Sequence, residues 1–192
     1  MKTFEIQAAL RPELTKQSVK AIRNGEGVPC VLYGTGSDPV HFSAPLSAFK
    51  GLVYTPDVYM VKLVIDGKEH QCILQDLQFH PVTDIIQHAD FLAVNNDRPV
   101  TIQIPVRITG ASEGVKQGGK LVTKVRKLKV KALPAKLPDS VPVDITPLKI
   151  GDDVRVRDLS VEGVTFLDSP SNVIVGVRTT RNVVAAATDA KK

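Results

Sequence analysis

The stretch "YMVKLVIDGKEHQCIL", residues 59–74, constrains the fold more than any other part of the chain. Tyr59, Val61, Leu63 and Ile65 alternate with their neighbours up to Asp66-Gly67, and Cys72 and Leu74 resume beyond it, with Ile73 facing the other way. A period of two puts one set of side chains on each face of a strand. Asp-Gly suits a tight turn whose two central residues both need positive φ. The spacing therefore predicts a β-hairpin. The same period recurs in Phe4, Ile6, Ala8 and Leu10, and without a break in Val100, Ile102, Ile104, Val106 and Ile108. Strands also suit 121–133, 141–145, 153–157 and 173–178.

Helical spacing is confined to short segments. In "TKQSVKAIRNG", Lys16, Lys20 and Arg23 form one stripe and Val19 and Ile22 another, with Thr15 placed to cap the start and Gly25 to end it in the left-handed conformation. A second short helix suits "SAPLSAFKGLV", with Ser43 or Ala44 before Pro45 at the helix entry. Pro105 predicts an edge strand or a bulge in its segment. Leu121 and Val125 occupy odd positions but Leu128 and Val130 even ones, a phase change that predicts a bulge near Arg126 and Lys127. Turn residues cluster at "NNDRP", 95–99, which sets expected domains at 1–94 and 95–180 with a flexible tail at 181–192.

Hydrophobic residues make up 43% of the 192, enough for two cores, and no apolar run approaches the roughly 20 residues that span a bilayer. The first residues, "MKTFEIQAAL", lack the apolar core of a signal peptide, so a cytoplasmic location without membrane partners is expected. Cys30 and Cys72 lack any C-x-x-C spacing and are expected to be buried reduced thiols. Charge is unevenly placed. Residues 1–94 carry eight basic and ten acidic side chains, while the remaining 98 carry 17 and 10. Within 116–136 there are eight basic side chains and no acidic one. Such a run is either an electrostatic footprint for phosphate or a solvated strand face, since lysine also protects edge strands.

The segment "LQDLQFHPVTDIIQHADF", 74–91, poses the functional question. His80, His88 and Asp90 could in principle hold a metal in a small hydrolase, but their spacing across a proline turn fits no dedicated ligand motif. Ser18, Ser43 and Cys30 lack a nucleophile elbow, "GTG" at 34–36 lacks the third glycine for a dinucleotide, and "GGK" at 118–120 is not a P-loop. No cofactor or small-molecule substrate is implied. RNA binding uses the same side chains better. The stripe Lys16, Lys20 and Arg23 can meet successive phosphates, while Gln75, Gln78, His88 and Asp90 can reach base edges and 2′-hydroxyls.

The segments "AALRPELTKQSVKAIRNGEGVPCVLYG", "VIDGKEHQCILQDLQFHPVTDIIQHADFLAV", "VPVRITGASEGVKQGGKL" and "PLKIGDDVRVRDL" stand in an order that resembles one known family. The family is the long form of ribosomal large-subunit protein twenty-five, which includes the general stress protein Ctc. The resemblance runs from residue 4 to about 178, and "D-x-Q-x-H-P … H-x-D-F" is its most specific motif. It implies a mainly β chain, with an N-terminal β-barrel carrying two or more short helices and a β-rich C-terminal domain. It also implies a ribosomal protein without enzymatic activity that binds the loop E region of 5S ribosomal RNA. Carried over position by position, the RNA-facing residues are Arg11, Lys16, Lys20, Arg23, Tyr33, Gln75, Gln78, His88 and Asp90. The chain departs from the family at "ELTKQS", where a glycine-rich lead is common, and at Lys20-Ala21, where a basic pair is common. The resemblance gives no contacts for Lys124, Arg126, Lys127, Lys129 and Lys131, for which a secondary contact with ribosomal RNA or a neighbouring ribosomal protein is expected from charge. A free stress-response RNA-binding protein is the alternative within the RNA-binding class.

Overall fold

In the computed structural model of the chain, residues 2–34, 38–95 and 98–180 are described. They form two compact units, one of the residues up to Val100 together with Leu133–Asp139, the other of Thr101–Ala132 and the described residues from Ser140 on. The expected tail at 181–192 lies outside the described residues. Among the described residues no helix is long and apolar enough to cross a membrane.

Six strands of the first unit close into a barrel: β1 (Lys2–Leu10), β2 (Gly27–Tyr33), β3 (Val40–Pro45), β4 (Tyr59–Ile65), β5 (Lys68–Phe79) and β6 (Ile86–Ala93), in the order β1-β3-β2-β6-β5-β4. The β4–β5 hairpin turns at Asp66 (φ 47°) and Gly67 (φ 81°), both positive as that turn requires. Closure comes from a parallel ladder that runs from Lys2 opposite Tyr59 to Ala8 opposite Ile65. Inward-facing positions of each strand fill the interior. Phe91 is wholly buried, its ring 5.6 Å from that of Phe42 and 6.3 Å from that of Phe49. Phe49 arrives on α2 (Leu46–Val53), which packs it and Leu52 into the same core.

Two local expectations change here. Ser43 and Ala44 belong to strand β3 rather than to the helix, which Pro45 enters as the N-cap residue. Their alternation His41, Phe42, Ser43, Ala44 is half-buried, buried, half-buried, buried, a strand pattern too short to stand out in the sequence. The other helix, α1 (Lys16–Asn24), starts as expected, with the Thr15 hydroxyl accepting from the Ser18 amide at 3.2 Å. Gly25, however, has φ −89°, and the left-handed residue is Glu26 at φ 58°. The chain turns into β2 one residue later than glycine placement suggests, because the Gly25 amide is still held by the carbonyls of Ala21 and Ile22.

The second unit holds β7 (Val100–Thr109) from its second residue on, and the strands β8 (Lys120–Thr123), β9 (Lys127–Ala132), β10 (Val141–Asp144), β11 (Asp153–Arg155), β12 (Val164–Phe166) and β13 (Val173–Arg178). They make a four-stranded sheet, β10-β7-β9-β12, and a three-stranded sheet, β11-β13-β8. A one-turn helix, α3 (Glu113–Lys116), and strand β12 are additions to the sequence reading. The segment 121–133 is two strands rather than one bulged strand. β8 pairs with β13 in one sheet and β9 with β12 in the other, so the phase change at Arg126 and Lys127 marks the crossing between sheets. Pro105 stands on an interior strand and not an edge. Its missing donor is tolerated because pairing with β10 begins at Val106. The segment expected to be a strand over 153–157 ends after Arg155 in a 3₁₀ turn over Val156–Asp158.

Phe91→Ala removes the ring that two other buried rings touch, and should lower stability by ~3–5 kcal/mol in urea unfolding. Both cysteines are free and wholly buried. Burial pushes the Cys30 thiol up from 9.0 to about 12 and raises that of Cys72 as well. Native protein at pH 8 should therefore resist alkylation by iodoacetamide at both sites, with labelling appearing only on unfolding. Because the unfolded chain ionises these thiols first, stability should fall as pH rises above the ordinary thiol range.

Candidate nucleic-acid interface

Two irregularities in the β5–β6 ladder arrange the polar face of the barrel. Leu74 lies opposite Phe91 and Asp76 opposite Asp90, which leaves Gln75 as the extra residue of a bulge on β5. Gln78 lies opposite His88 and Phe79 opposite Ile86, which leaves Gln87 as the extra residue on β6. Each bulge preserves the burial of Ala89 and Phe91 while presenting Gln75, Asp76 and Gln78 to solvent. The turn between the strands is held by His80, whose Nδ1 accepts from the amides of Val82 at 3.3 Å and Thr83 at 3.2 Å.

On β6, His88 Nδ1 and Asp90 Oδ1 stand 2.6 Å apart, both side chains about 30% exposed. With Nδ1 turned to Asp90, the other ring nitrogen of His88 is left for an outside partner. Asp90 also neighbours Val31 of β2, which in turn faces His41 of β3. Asp76, Asp90, Val31 and His41 therefore make one row across four strands, and the Arg11 amide joins its end by donating to the His41 carbonyl at 3.0 Å. Arg11 Nε and Nη1 are buried without a hydrogen-bond partner among the described residues, an arrangement that leaves two donors for an acceptor from outside. Tyr33 ends β2 close by. Burial raises its hydroxyl pKa first, and the charges of Asp90 and Asp76 raise it further, so it remains a neutral donor.

The basic helix is tied to this row. Arg23 donates from Nε (3.3 Å) and Nη2 (3.0 Å) to the Gln87 carbonyl, so the bulged residue of β6 exposes the acceptor that holds α1. Lys16 and Lys20 stay exposed on the same helix. The structure thus brings Arg11, Tyr33, Gln78, His88 and Asp90 onto one barrel surface with α1 alongside, and uses Arg23 as a tether as well as a cation. His41 and the Gln87 carbonyl were not singled out from the sequence, and Asp76 entered only as the first residue of the motif D-x-Q-x-H-P, with no role of its own. Only the cross-strand register reveals their placement.

A set of three metal ligands is not assembled from His80, His88 and Asp90. His80 Nδ1 faces the turn amides, and among the described residues no group of three or more His, Cys, Asp or Glu is placed to hold a metal ion. In the second unit, Lys124 and Arg126 are exposed in the crossing between sheets, while Lys127, Lys129 and Lys131 alternate with the buried Leu128, Val130 and Ala132 on β9.

Replacing Arg23 with lysine keeps the charge but cannot reproduce the two-nitrogen fork on the Gln87 carbonyl. The variant should lose ~1 kcal/mol of stability in urea and show faster amide hydrogen exchange across Lys16–Asn24.

Comparison with known proteins covers both units. The Ribosomal L25p family model matches residues 6–91 and the model for the C-terminal domain of ribosomal protein TL5 matches residues 99–181. The large ribosomal subunit protein bL25 of Phocaeicola vulgatus is 44% identical over 198 aligned residues, with all of both chains covered. The protein of the same name from Porphyromonas gingivalis is 41% identical over 188 residues, covering 97% of this chain and 98% of its own. That of Christiangramia forsetii is 44% identical over 185 residues, covering 96% and 84%. With both family models matched in turn along the chain and relatives 41–44% identical over nearly all of it, the chain belongs to the ribosomal L25p family, in the long form that carries a TL5-type C-terminal domain.

Proposed function

We propose that the chain is a structural constituent of the large ribosomal subunit, held on cytoplasmic ribosomes by binding the loop E region of 5S ribosomal RNA through the barrel face around His88 and Asp90. The observation that carries this reading is the pairing of opposite chemistries on one surface. Lys16 and Lys20 are exposed on a helix that Arg23 tethers to β6, while Asp76 and Asp90 stand opposite each other on the adjoining sheet. A purely basic surface would take any polyanion. Two carboxylates beside it repel phosphates at that point and favour hydrogen-bond donors instead, such as exocyclic amino groups and 2′-hydroxyls. Gln78 and His88, directly opposite each other, add groups that both donate and accept.

Arg11 fits the same reading, since its buried and unpartnered nitrogens would be satisfied by a phosphate or a base edge. The bL25 relatives carry the name of the large ribosomal subunit, which agrees with a structural role in that particle. A protein of this kind needs no reacting group, and the polar set is arranged for hydrogen bonding across strands rather than around a pocket.

Fluorescence titration of the full chain against a 5S RNA fragment containing loop E and a plain RNA duplex of equal length tests the reading. The fragment should bind at least about tenfold more tightly, and Asp90→Ala should erase most of that preference, a loss of ~1–3 kcal/mol. Lys20→Gln should weaken both RNAs alike and reduce the salt slope by about 1. Equal affinity of the native chain for the two RNAs would sink the proposal.

A further inference from the structure

We propose that the outer face of β9 is a second RNA-binding surface, on which Lys127, Lys129 and Lys131 take the sugar–phosphate backbone of large-subunit ribosomal RNA outside 5S RNA. The identity of the RNA rests on the ribosomal reading above.

The geometry is that of a straight cationic row. Lys127, Lys129 and Lys131 are exposed at alternate positions, while Leu128, Val130 and Ala132 are buried at the positions between. Alternate residues of a strand lie ~6.6–6.8 Å apart on one face, the scale on which phosphates follow one another along a nucleic-acid strand. On the neighbouring β7, Arg107 is exposed while Val106 and Ile108 pack towards the core. On the other side Thr165 of β12, opposite Lys131, offers a hydroxyl.

Three observations separate this face from an ordinary solvated one. Lysine on a strand is most often explained as protection of a sheet edge, but β9 is an interior strand, between β7 and β12, with Val130–Ala132 paired to β12. Among the described residues, none of the three ammonium groups forms an ion pair. The closest acidic interaction on this strand is that of Asp168, whose carboxylate accepts from the Lys129 backbone amide at 2.7 Å. Like charges two residues apart on a strand repel one another, so the row is unfavourable in the isolated protein and becomes favourable against a polyanion. The crossing between sheets matters here too. It removes Lys124 and Arg126 from the row, so the eight basic side chains of residues 116–136 resolve into one aligned set of three and a group of separate cations.

RNA is favoured over an acidic protein surface because three cations repeat at one interval along a single strand face, which matches the regular charge spacing of a polyanion. The test compares the full chain, the Lys127→Gln/Lys129→Gln/Lys131→Gln variant, and a charge-matched control with Lys116, Lys120 and Lys149 changed to glutamine. Each is titrated, across a salt series, with two probes: 5S RNA, and protein-free large-subunit ribosomal RNA from which 5S RNA has been removed. On the second probe the β9 variant should bind at least about tenfold more weakly than the native chain, with a slope of log K against log salt shallower by about 2, while the control stays within about threefold. On 5S RNA all three proteins should agree. Equal loss in the β9 variant and the control would reduce the effect to net charge and overturn the proposal. So would unchanged binding of the β9 variant to the second probe, and if that variant still enters large subunits poorly, the row takes an acidic protein instead. Failure of the 5S reading is separately visible, as absence of preferred 5S binding by the native chain whatever the second probe shows.

Discussion

The parallel ladder between β1 and β4 is the contact on which the first unit depends. It pairs the start of the chain with residues some sixty positions later, and Ile6 meets Leu63 at its centre, both buried. Non-local pairing of this kind requires a long loop to close before it is rewarded, so it forms only as the hydrophobic interior assembles. Once formed, it removes the last two sheet edges. The barrel then has no free edge to extend.

Closure also explains why bulges, and not loops, aim the functional residues. In a closed barrel the inward set cannot slip without moving every side chain to the wrong face. Gln75 and Gln87 are accommodated as extra residues instead, one on each strand of the β5–β6 pair. The first shifts Asp76 opposite Asp90. The second exposes the Gln87 carbonyl that receives Arg23. Two polar residues that look unremarkable in the sequence thereby set both the carboxylate pair and the position of the basic helix.

The polar set was only partly legible before folding. Lys16, Lys20 and Arg23 could be read as a stripe because helical spacing is local, and His88 and Asp90 because strand alternation is local. The 2.6 Å contact between those last two follows from the same alternation. His41, and the place of the motif residue Asp76 opposite Asp90, were hidden because they depend on neighbours on other strands and so on register. The tether role of Arg23 was hidden for the same reason, since its acceptor is a backbone carbonyl that the sequence does not mark. In the second unit, the change of phase at Arg126 was visible, but a bulge and a crossing between two sheets leave the same trace in a list of residues.

By itself the sequence determined which residues prefer strands, where the Asp-Gly hairpin turns, where the cations concentrate, and through its motifs which family the chain belongs to. These properties rest on side-chain chemistry and on intervals of a few residues. Only the tertiary structure decided which strand lies beside which, that Pro105 and the β9 lysines occupy interior strands, and that a carboxylate pair stands next to a basic helix. Those outcomes depend on pairing between distant segments, and pairing is chosen by burial of the whole interior, a property that no short window of sequence contains.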